Sequence, residues 1–217
     1  MRLRALASLI ACSSALAWGG CFLLPAFKPA AGPAPYGAHY SGLADKRTAI
    51  VVYVPRSTVD EYPSVREEIT GFVANKMRAA IPSSGVASTV IDPALVIEWQ
   101  DSTFNWRNLP ENEIGQHFRA ERLLCIQVLD YSTRKIIGQS EMQGRLRAQC
   151  RVFEIPDAPA ASQPAGYAPT QAAWTSLIDI KWPPDRPLAP TQTNEGAVRY
   201  RTLDSFSERL VGYFTQS

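Results

Sequence analysis

The chain predicts an α/β (α+β) two-layer sandwich, with a mixed sheet of about five strands and helices mainly on one face. Three observations carry this reading. Apolar runs that are continuous or strictly alternating recur along the chain, as strands require. Between them lie segments whose apolar residues return at helical spacing. A hydrophobic fraction of 46% over 217 residues is enough for a real core, and a charged fraction of 19% excludes a disordered chain.

Residues 1–20 read as an export signal. Arg2 and Arg4 supply its positive start, and Ala5 to Ala17 is uncharged and mostly apolar, too short to span a bilayer well. Gly19 and Gly20 then precede Cys21. Small residues before a cysteine resemble the lipobox of bacterial lipoproteins, in which the cysteine takes an acyl (palmitate-type) lipid and becomes the new amino terminus. Trp18 stands where that motif usually has Leu. Leu9-Ile10-Ala11-Cys12 fits the letters better but leaves an apolar stretch at the short limit, so Cys12 is the alternative attachment site. Phe22, rather than Asp, follows Cys21, which by resemblance to lipoprotein sorting directs the protein to the outer membrane.

Residues 21–47 carry Pro25, Pro29, Pro33 and Pro35 among Ala and Gly, with no lasting period. Such a stretch is an extended, semi-stiff tether. The domain is expected over 48–217. Ala49-Ile50-Val51-Val52-Tyr53-Val54, ended by Pro55, predicts a buried central strand. Tyr62 to Ile81 predicts a helix with Val65, Ile69, Phe72, Val73, Met77 and Ala80 on one face, and Pro82 and Gly85 end it. Ser88 to Ile91 predicts a short strand. Asp92-Pro93 is a helix cap followed by a first-turn proline, so Ala94 to Gln100 is helical. Pro110 to Arg119 predicts another helix.

Glu121 to Tyr131 and Glu141 to Ile155 predict an antiparallel hairpin around a loop containing Gly138. Leu124, Ile126 and Val128 alternate on the first strand, and Leu146, Ala148, Cys150 and Val152 on the second. Matching these faces pairs Leu124 with Cys150, Ile126 with Ala148 and Val128 with Leu146, so Cys125 falls opposite Gln149 and points away from Cys150. Pro156 to Ala173 is an Ala- and Pro-rich flexible insertion. Thr175 to Trp182 predicts a further strand, and Asn194 to Phe214 a last helix with Leu203, Phe206, Leu210 and Phe214 on its stripe.

Four stretches carry a family likeness: Ala49 to Pro55, Ile114 to Glu121, Leu123 to Tyr131, and the strand near Gly144 to Val152. With this element order the chain resembles the bacterial envelope lipoproteins that share the fold of the TolB amino-terminal domain, among them LpoB and CsgG. The resemblance implies an adaptor, activator or assembly subunit, with no catalytic residue to carry over.

The residue inventory agrees that the protein is not an enzyme. There is no Gly-x-Ser-x-Gly elbow and no Walker-type loop. His117 is the one domain histidine, too few for a metal site, and no cofactor motif is present. A formal charge of +2 excludes a strongly basic nucleic-acid binder, and removing residues 1–20 leaves 20 of the 22 basic residues against 20 acids. Glu67-Glu68 are adjacent on a helix and do not share a face. Two features remain as candidate partner surface. Arg145, Arg147 and Arg151 form a basic stripe on one strand face, which either docks an acidic partner or deters edge aggregation. Trp99 and Trp106, with Phe104, cluster about an irregular segment and either meet a partner or cap the core. The expected role is a lipid-anchored module on the periplasmic side that binds another envelope protein or a cell-wall component. The alternative is an oligomeric subunit of a secretion or transport assembly.

Overall fold

The computed structural model describes residues 39–81, 90–134, 141–156 and 171–215. Cys12, Cys21, the signal segment, most of the tether and nearly all of the insertion expected at 156–173 lie outside them.

The described residues form ten elements in order: β1 (Thr48–Tyr53), α1 (Arg56–Glu61), α2 (Val65–Ala80), α3 (Pro93–Ser102), a 3-10 turn (Trp106–Asn108), α4 (Glu111–His117), β2 (Arg122–Arg134), β3 (Met142–Glu154), β4 (Trp174–Trp182) and α5 (Glu195–Thr215). The four strands form one mixed sheet in the order β1-β2-β3-β4. β1 runs parallel to β2, and the β2-β3 and β3-β4 pairs are antiparallel. The sheet has one strand fewer than expected. Of the short strand read at Ser88 to Ile91, the described residues form one parallel bridge from Val90 to Thr48.

β1 is an edge strand rather than the central one. Its run is nonetheless buried from Thr48 to Val52, with Tyr53 half-buried, because helices cover both of its faces. The two long helices, α2 and α5, lie on one face. Val65, Ile69, Val73 and Met77 of α2 and Leu203, Phe206 and Leu210 of α5 share a core with Ile50, Val52, Leu124, Ile126, Leu146, Ala148 and Cys150. On the other face α3, the 3-10 turn and α4 build a second core. Val96, Trp106 and Ile114 pack there on Ala49, Val51, Leu123, Cys125 and Phe153. Asp92 caps α3 as its sequence suggests, accepting from the Ala94 N–H at 3.0 Å.

The hairpin register differs from the expected one by two residues. Leu124 pairs with Val152, Ile126 with Cys150 and Val128 with Ala148. A bulge then intervenes between Val128 and Asp130, so that Asp130 meets Arg147 and Tyr131 meets Leu146. A shift of two keeps every side chain up to Val128 on its expected face, and beyond it the bulge turns Asp130 outward and Tyr131 into the core. The chain is also already packed ahead of Thr48. Leu43 is buried, and the Tyr40 N–H donates to the Tyr213 carbonyl at 2.9 Å.

Candidate functional site

The second core covers only the β1 side of its face. Over β3 and β4 no described element covers the same face, and its lattice of side chains follows from strand alternation. Along β3 it presents Arg145, Arg147, Gln149 and Arg151, each half-buried. Neighbouring β2 adds Gln127, Leu129 and Asp130, and β4 adds Thr175, Leu177, Asp179 and Lys181. The bulge at Leu129 leaves that side chain 45% exposed.

The three arginines have unequal surroundings. Arg145 is fully engaged. Its Nη1 stands 3.2 Å from Asp130, its Nη2 3.0 Å from Asp179, and its Nε donates to the second Asp179 oxygen at 3.3 Å. The hydrogen-bonded Asp179 carboxylate, helped by Asp130, raises the Arg145 pKa above its usual value. Arg151 has a single carboxylate, Glu111 of α4, at 3.9 Å, and its guanidinium lies 5.3 Å from the Phe153 ring. Arg147 has neither an ion pair nor a hydrogen bond among the described residues, and the Nε atoms of both Arg147 and Arg151 are buried without an acceptor.

The tryptophans do not join this face. Asn105, in the left-handed region at φ 64°, turns the chain so that Trp106 enters the second core, where it is buried against Tyr53 with ring centroids 4.9 Å apart. Trp99 is half-buried and stacks on His117 at 5.2 Å. Phe104, at the tip of the segment, is 91% exposed. The residues not singled out from sequence are Asp130 and Asp179. Alternation along β4 gives the outward position of Asp179, whereas Asp130 shares the parity of Val128 and is turned outward only by the bulge, which alternation does not show.

Among the described residues no three His, Cys, Asp or Glu side chains gather to hold a metal ion. Burial pushes the Cys125 thiol up to about 12, away from thiolate reactivity.

No protein-family model matches the chain, and no curated protein matches it in sequence. Solved structures are similar in outline. The PelC dodecamer from Paraburkholderia phytofirmans is 11% identical, covering 83% of this chain and 94% of that one, with a TM-score of 0.44. Lipoprotein GNA1162 from Neisseria meningitidis is 14% identical, covering 76% and 97%, with a TM-score of 0.43. Likenesses of this size fix neither the family nor the role.

Proposed function

We propose that the protein is a non-enzymatic, lipid-anchored cell-envelope module, held at the periplasmic side of the outer membrane through Cys21, that binds another envelope component on the open face of β3 and β4. The observation that carries the binding role is Arg147. Arg147 has no carboxylate among the described residues, and its Nε is buried without an acceptor; a carboxylate from a partner, meeting the accessible part of the guanidinium, would supply the missing counter-charge. The layout of residues 1–47 supports the anchor and the tether. The test is a photo-crosslinking residue placed at Gln149, at the centre of the face, in the native host. A discrete adduct is expected there and not from position 208, which is exposed on α5. Equal labelling from both positions, or none from Gln149, would refute a binding role for this face.

A second reading, an assembly subunit, is favoured by one feature. Among the described residues the only strand that β4 pairs with is β3, so β4 is an edge of the sheet that a neighbour's strand could extend. Size measurement on the purified mature domain separates the two readings: a monomer supports the module, and a closed ring supports the subunit.

A further inference from the structure

We infer that the open face binds an extended polypeptide segment bearing two carboxylates, one met by Arg147 and one by Arg151, and that Arg145 is a positioning residue that keeps Arg147 unpaired. The inference rests on the binding role proposed for this face. By register, Arg147 stands directly between Asp130 on β2 and Asp179 on β4. Opposite charges at facing positions of neighbouring strands ordinarily pair with each other. Here they do not, because Arg145, one alternation along the strand, takes both carboxylates. Two acids that would neutralise Arg147 are thereby held away from it. Arg147 is left with a buried, acceptorless Nε, and Arg151 with one carboxylate at the limit of ion-pair distance.

The spacing points to the occupant. Four residues of β-strand place Arg147 and Arg151 about 13 Å apart, and an extended peptide repeats with the same rise, so acids at positions i and i+4 match the two guanidinium groups. Gln149 lies midway, where its amide faces the peptide backbone, and Leu177, its cross-strand neighbour, offers apolar contact. A continuous anionic surface fits less well. Asp130, Asp179 and Glu111 stand on or beside the same face and would repel charge that is not confined to the two arginines.

The test uses the purified mature chain and a capped peptide, Thr-Glu-Thr-Val-Thr-Glu-Thr, titrated by calorimetry at low ionic strength. Arg147→Gln and Arg151→Gln should each weaken binding about ten-fold, as loss of one charged contact does. Arg145→Gln should weaken it to a similar degree without touching the peptide, because Asp130 and Asp179 then close on Arg147. Adding Asp130→Asn and Asp179→Asn to Arg145→Gln should restore binding. Circular dichroism melts establish that each variant is folded. If Arg145→Gln binds as the parent does, or the triple variant is not restored, the positioning role is wrong. If the peptide with Gln for Glu, polygalacturonate or phosphatidylglycerol vesicles bind as tightly, the occupant is not a spaced pair of carboxylates on a polypeptide. If no peptide binds while Gln149 still crosslinks in the cell, the face is a binding surface for a different chemistry and only this inference falls.

Discussion

Cys125 lies on β2 opposite Arg151, and Cys150 lies on β3 opposite Ile126. The two thiols point to opposite sides of the sheet, one into each core. Export would permit a disulfide, but Cβ vectors directed to opposite faces cannot be bridged without moving backbone. Both are free and buried. Denatured, non-reduced mature protein should therefore titrate two thiols, and the native protein none within minutes at pH 8. One reactive thiol in the native state would show that a core opens. The same burial sets an alkaline limit. Cys125 ionises near its ordinary 9.0 when unfolded but only near 12 when folded, so the unfolded chain releases its proton first. Stability should be whole below pH 9 and decline between pH 9 and 12, a trend that burial of the Tyr53 and Tyr131 hydroxyls reinforces. A midpoint in urea that is unchanged from pH 8 to pH 10.5 would contradict this. The face of each cysteine was legible from alternation alone, since a register error of two residues leaves parity intact.

At the scale of elements, α5 shows both what sequence pattern resolves and what it leaves out. Its stripe of Leu203, Phe206, Leu210 and Phe214 was visible at helical spacing, and all four side chains are buried. Phe206 is 1% exposed in the larger core, so Phe206→Ala should cost about 3–5 kcal/mol in chemical denaturation. The closeness of the helix to the sheet was not visible. Gly144 of β3 faces α5 so tightly that an added Cβ would meet Thr202 Oγ1 at 1.9 Å and Val198 at 3.0 Å. Thr202 cannot simply turn away at no cost, because its hydroxyl donates to the Val198 carbonyl at 2.8 Å. Gly144→Ala should thus destabilise by about 1–3 kcal/mol through overpacking, although alanine suits a strand better than glycine does. A stabilised Gly144→Ala variant would show that the helix can shift. Other elements were hidden for definable reasons. α1 buries no side chain and so leaves no apolar stripe to read. The β1 run reports burial on both faces, which a covered edge strand and a central strand satisfy equally. The second core was hidden because Leu123 and Cys125 fill the positions of β2 between Leu124, Ile126 and Val128, so the strand is apolar on both faces while alternation reports only one.

For the whole molecule, the open face matters only if the domain is held where its partner is. None of the domain's described helices is long and apolar enough to cross a membrane, and the attachment we propose lies ahead of the described residues, at Cys21. Arg2 and Arg4, the apolar stretch Ala5 to Ala17 and Gly19-Gly20-Cys21 offer such an attachment through a lipidated cysteine. A single acyl chain holds a protein only marginally, whereas the several chains of a modified amino-terminal cysteine hold it firmly. The expected outcome is that the amino-terminal peptide from the native host carries lipid on Cys21, and that Cys21→Ser moves the protein into the soluble periplasmic fraction. Lipid found on Cys12 instead would shift the new terminus and lengthen the tether while preserving the anchor. An unmodified Cys21 inside a longer peptide, with the protein still in the membrane fraction, would mean that the apolar segment itself remains as the anchor. Partner crosslinking from Gln149 discriminates further: if it survives Cys21→Ser, the partner is reached by affinity alone, and if it is lost, the anchor supplies the local concentration on which binding depends.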